Sequence, residues 1–120
     1  DVMRSLIIAA VFVAAPASAA PAYLTCSIVN EGKSVTLNVT ADEANGTVTT
    51  LLEETGHTEK RTAVFSATSV KWSSPMGSVA DLTYDLSRTD LSIVRTLTIG
   101  EKPFIAKGSC KVQETPKRAF

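Results

Sequence analysis

Two cysteines, Cys26 in YLTCSIV and Cys110 in FIAKGSCKV, stand 84 positions apart and constrain this chain more than any other feature. Apolar residues alternate around each of them. Leu24, Cys26 and Ile28 share one face, and Phe104, Ala106, Gly108, Cys110 and Val112 share another, so both thiols point to the apolar side of a strand. Only one pairing exists. If the first and last strands are neighbours, or face one another across the core, a bridge closes nearly the whole domain into a loop, worth roughly 4 to 5 kcal/mol in the chain-entropy model. No C-x-x-C is present, and neither cysteine has neighbours that would lower a thiol pKa, so the bridge reads as structural.

A disulfide needs an oxidising compartment, and the N-terminus points to one. Met3 and Arg4 precede an apolar run from Leu6 to Ala15, a proline and the small residues Ala17-Ser18-Ala19. That order is the signature of a secretory signal peptide cut after Ala19, with a short helix expected over part of Leu6 to Ala15. Asp1 and Val2, ahead of the expected initiator, are left out of the reading. The apolar run is shorter than the ~20 residues a membrane span requires. Tyr23 and Thr25 are not the leucine and small residue that lipidation at Cys26 would need. Residues 1–19 are thus expected to be removed and 20–120 to form a single β-domain, periplasmic or secreted, with no membrane span in the mature form.

Removing 1–19 takes away Asp1 and Arg4, leaving eleven acidic and eleven basic residues. Without net positive charge, nucleic-acid binding loses its main electrostatic drive. The charges are segregated: Asp42 to Glu59 holds five acids and no Lys or Arg, and Glu101 to Arg118 holds five bases and two acids. Two solvated faces account for this pattern.

Serine and threonine alternate with Val, Ile and Leu in short runs, which suits half-buried strands. YLTCSIV, the turn NEGK and SVTLNVT read as a hairpin, with Val35, Leu37 and Val39 facing inward. TVTTLL follows Asn45-Gly46, and EETGHTEK reads as the next polar connection. RTAVFSA and SVKW are one long strand or two short ones, broken near Thr68 and Ser69. SSPMGS reads as a loop, since Pro75 and Gly77 both interrupt a ladder. VADLTYDL alternates Ala80, Leu82, Tyr84 and Leu86 inward. LSIVRTLTI returns, its adjacent Ile93 and Val94 suggesting a bulge or burial on both sides. FIAKGSCKV closes the sheet. Seven to eight strands at this spacing specify an all-β domain, either an antiparallel β-sandwich or a small closed β-barrel.

Several fragments together resemble a group of small exported proteobacterial proteins without an assigned function. They are Cys26, Phe65 with Val70 and Trp72, the run Tyr84-Asp85-Leu86-Ser87-Arg88, Gly108-Ser109-Cys110 and the closing Lys117-Arg118-Ala119-Phe120. The resemblance implies an exported all-β domain with one disulfide and carries no catalytic residues.

The chemistry-bearing residues are sparse. His57 is the only histidine and lies among Glu53, Glu54 and Glu59, where a small metal-dependent hydrolase would have to find its ligands. A lone histidine in a polar turn is more often simply solvated, so neither a metal site nor a cofactor is expected. No Gly-x-Ser-x-Gly elbow, phosphate loop or dinucleotide fingerprint occurs. The leading expectation is a monomeric, non-enzymatic binding or interaction protein for a protein or cell-envelope partner. A competitor is an inhibitor of a cell-wall hydrolase, as in lysozyme inhibitors. Trp72, Tyr84 and Arg88 are the candidate partner surface, since these residue types are enriched at binding hot spots. Trp72 and Tyr84 fall on inward phases, however, where core anchoring competes with recognition.

Overall fold

The computed structural model describes residues 20–114. The expected signal peptide with its helix and the tail from Thr115 lie outside them. Eight antiparallel strands form a closed barrel in strict sequence order: β1 (Ala22–Asn30), β2 (Lys33–Asp42), β3 (Thr47–Leu52), β4 (His57–Phe65), β5 (Ser69–Met76), β6 (Ala80–Ser87), β7 (Ser92–Ile99) and β8 (Lys102–Gln113). Of the two architectures the sequence leaves open, the barrel is the one adopted. Among the described residues no helix is long and apolar enough to cross a membrane.

Closure occurs between β1 and β8. Cys26 and Cys110 are directly opposed there and joined by the chain's disulfide, Cα to Cα 3.9 Å, with both residues buried. Two positions along β8, Gly108 faces Ile28 of β1 on one side and Ile93 of β7 on the other. A Cβ at Gly108 would lie 2.0 Å from the Ser27 carbonyl oxygen and 2.8 Å from the Ile28 Cα. Only glycine lets β1 approach this closely, and its two cross-strand neighbours, Ile28 and Ile93, are almost fully buried. On the outer face a polar chain crosses the same closure: the Gln113 side-chain amide donates to Thr25 Oγ1, Thr25 to Asn38 Oδ1 and Asn38 Nδ2 to Glu53 Oε2.

The inward phases match the alternation in the sequence. Leu24, Cys26 and Ile28 from β1 pack with Leu37, Val39 and Ala41 from β2, Val48 from β3, and Val70, Trp72, Tyr84, Leu86 and Ile93 from β5 to β7. The β1–β2 turn needs only Glu31 and Gly32, both at positive φ, the backbone of a two-residue hairpin turn. Of the two readings of Ile93 and Val94, burial on both sides is the one adopted: Ile93 is buried, Val94 half-buried, and the β6–β7 and β7–β8 registers run through both without a bulge.

Two boundaries differ from expectation. SSPMGS does not form a loop throughout, because β5 continues to Met76 and carries Pro75 in its ladder with β6. EETGHTEK is not wholly a connection either, because β4 begins at His57. Both differences arise at the same place, where β4 and β5 part.

One end of the barrel is tied shut by Arg88, in the β6–β7 turn. Its guanidinium donates to Glu43 Oε1 at 2.8 Å in the β2–β3 turn and to the Ser66 carbonyl at 2.6 Å in the β4–β5 turn, and it lies over the Phe65 ring at 5.9 Å. Three turns are thereby held together. Because both charged side chains are partly exposed, Arg88→Ala should cost only about 1 kcal/mol. Gly108→Ala should cost far more, since the displaced atoms are backbone. Thermal unfolding of the two variants checks this order, and Cys26→Ser with Cys110→Ser should lower the melting temperature further than Arg88→Ala does.

Candidate functional site

The opposite end of the barrel is open, and the opening begins in the backbone. Six residue pairs join β3 to β4 and eight join β5 to β6, but only Ala63 to Trp72, Val64 to Lys71 and Phe65 to Val70 join β4 to β5. Beyond Ala63 and Trp72 the two strands diverge. The Ser66 N–H donates to Ser69 O across the β4–β5 turn, whereas the Ala63 N–H donates to Gly46 O on the β3 side. Backbone groups alternate along a strand, so Lys60 and Thr58 direct theirs toward the gap. By the same alternation Pro75, on the other lip, has its missing N–H turned to the gap and costs β5 no ladder bond with β6. This is why a proline that reads as a loop signal sits inside a strand.

A side-chain network bridges the gap in place of the ladder. Ser74, buried on β5, donates to Glu59 Oε1 on β4 at 2.7 Å. Arg61 Nε donates to the same oxygen at 2.8 Å, and His57 Nε2 lies 2.9 Å from Glu59 Oε2. A carboxylate only accepts, so that imidazole nitrogen is the donor. The hydrogen bond from Ser74, helped by Arg61 and His57 against partial burial, holds the Glu59 carboxyl down at about 2.

Two cavities flank this seam. The inner one, about 670 Å³, is lined by Leu37, Leu52, Met76 and Leu82 on its apolar side and by His57, Glu59, Arg61 and Ser74 on its polar side. The outer one, about 740 Å³, runs past Val64, Lys71, Asp85 and Val94. Arg61, Pro75 and Tyr84 line both. No protein family, curated protein or solved structure matches this chain. Its chemistry is therefore read from its own residues.

Trp72 and Tyr84 do not form an outer surface: their rings stack on each other, centroids 5.0 Å apart, at 4% and 9% exposure. The alternation that directs Val70 and Leu86 inward directs them inward too. Burial raises the Tyr84 pKa, opposed by the charge and hydrogen bond of Arg95. Arg88, the third residue of that expected surface, is engaged in the turn clamp described above. Cys26 and Cys110 lie at the closure, on the wall formed by β1 and β8. His57 is brought together with Glu59, but among the described residues no three His, Cys, Asp or Glu side chains converge. Sequence reasoning named Glu59 only as a neighbour of His57 and missed Arg61 and Ser74. The signal for Glu59 and Arg61 was the period-two spacing His57, Glu59, Arg61, Ala63, Phe65, a strand pattern with polar residues in its first half, and for Ser74 the phase it shares with Val70 and Trp72.

Two predictions follow from this geometry. Lys60→Pro, at a backbone N–H that faces the gap, should leave the barrel folded, whereas Ala63→Pro removes the bond to Gly46 and should lower the melting temperature much more. For Glu59, a folded-state pKa of about 2 against an ordinary 4.5 means a stabilisation that is complete above pH 4.5 and is lost as pH falls toward 2. That acid-sensitive component should vanish in Glu59→Gln, as read by thermal melts from pH 6 to pH 2.

Proposed function

We propose that this barrel is a non-enzymatic binding protein of the exported compartment that takes its ligand at the open end, between β4 and β5. The observation that carries the reading is the interrupted β4–β5 ladder with a cavity on each side of it. A barrel of this size ordinarily fills its interior with side chains. Here the filling stops halfway, and polar groups converge on one side of an apolar recess, the composition of a ligand site.

The hydrolase alternative has less support. His57 is the first residue of β4 and 63% exposed at its side chain, with its Nε2 engaged by Glu59. Ser74 hydrogen-bonds the carboxylate rather than the imidazole, and a carboxyl held at about 2 is a weak base for activating a hydroxyl. The hydrolase-inhibitor alternative calls for a projecting element to enter an enzyme cleft, and every connection between the described strands is short.

Native mass spectrometry of protein isolated from the exported fraction of its source cells tests the reading. Bound mass is expected on the wild type and should be lost from Leu82→Trp, which fills the inner cavity. Bound mass that persists unchanged in folded Leu82→Trp would move the site elsewhere, and turnover of a wall or ester substrate abolished by His57→Ala would replace binding with catalysis.

A further inference from the structure

The inner cavity has two unlike halves, and each restricts the ligand. On the polar half both oxygens of Glu59 are already engaged, Oε1 by Ser74 and Arg61 and Oε2 by His57, and a carboxylate offers a guest no donor. Arg61 is in the opposite condition. Only its Nε is bonded to Glu59, and among the described residues its two Nη groups have no hydrogen-bond partner, while the residue lines both the inner and the outer cavity. A planar guanidinium bonded through Nε retains an end-on pair of donors matched to a carboxylate. The open polar valence of this site therefore asks for an acceptor carrying negative charge.

The other half asks for hydrocarbon. Leu37 and Leu52 line it from β2 and β3, and Met76 and Leu82 from β5 and β6, flanking the polar residues of β4. The inward phase stays apolar beyond it, where the ends of β5, β7 and β8 overrun the rest of the barrel and leave Met76, Ile99 and Phe104 about half exposed. A guest cation would meet Arg61. An oligosaccharide would want an open aromatic face, but the Trp72 and Tyr84 faces are turned to each other. A doubly charged phosphate would bring two negative charges beside the ionised Glu59, whereas a carboxylate adds only one to the Arg61–Glu59 pair. The cavity volume, about 670 Å³, falls among small-molecule sites, about 300–1,000 Å³.

We infer that the ligand is a single-chain amphiphile with a carboxylate head, the head on the Arg61 guanidinium and the chain along Leu37, Leu52, Met76 and Leu82. The inference rests on the binding reading above and names its ligand class. Arg61 is then the head-group residue, and Glu59 is the positioning residue that fixes the guanidinium through Nε.

Titration of the disulfide-bonded protein with dodecanoate below its micellar concentration, followed by calorimetry and by Trp72 fluorescence, is the test. One dodecanoate per barrel is expected. Dodecyl phosphate and dodecanol should bind at least tenfold more weakly, and dodecyltrimethylammonium should not compete. Arg61→Gln should lower dodecanoate affinity tenfold or more while leaving dodecanol unchanged, and Arg61→Lys, which keeps the charge without the fork, should fall between. If Arg61→Gln does not fold, the head-group series on the wild type and on Arg61→Lys decides. Equal binding of dodecanoate and dodecanol, or of dodecyltrimethylammonium, would overturn the assignment. Failure of every amphiphile, with a native bound mass still expelled by Leu82→Trp, would sink the carboxylate ligand and leave the binding reading standing.

Discussion

The contact between β1 and β8 is the one on which the rest of this barrel depends. Seven of the eight strand pairings join consecutive strands, and only this one converts a curved sheet into a closed wall. It is held by a buried disulfide, by a glycine that lets two backbones meet, and by a polar chain on the outer face. Its register also sets the asymmetry of the molecule. β1 meets β8 from Val29 opposite Lys107 to Tyr23 opposite Gln113, so Lys102 to Ala106 have no β1 partner and project past it. The uncovered apolar wall at the open end follows from where the closure was fixed.

The two ends solve the problem of a barrel terminus differently. At one, Arg88 gathers three turns over a small apolar recess of about 210 Å³. At the other, strand pairing between β4 and β5 is given up, and a carboxylate with three donors replaces it. A carboxylate partly withdrawn from water is tolerable only when fully hydrogen-bonded, and Glu59 meets that condition. Such a network holds the strands at a distance that a ladder would not permit, because side chains, rather than backbone groups, span the gap.

Where apolar alternation was strong, the sequence was legible. The β1–β2 hairpin, the inward phases of Cys26, Val70, Trp72, Tyr84 and Leu86, and the disulfide all follow from period-two spacing and turn residues. Legibility failed where the barrel interior is polar. His57 to Lys60 reads as a connection because hydropathy does not distinguish a polar inward face from a solvated loop. Pro75 reads as a ladder breaker because one chain alone does not reveal that the strand beside it is missing. The candidate site lies where these two failures meet, since a cavity for a guest is made by withholding the side chains and backbone bonds that would have filled it.

The connectivity also dictates an order of events during synthesis. Each consecutive pairing can form as a hairpin while the chain emerges, at little cost in loop entropy. The β1–β8 pairing has to wait for the last strand, with Cys110 appearing 84 residues after its partner. Until then β1 stays an unpaired edge, able to recruit a strand from another molecule. The covalent bond marks the moment that edge disappears, so in this chain oxidation reports a completed fold and not merely a stabilised one.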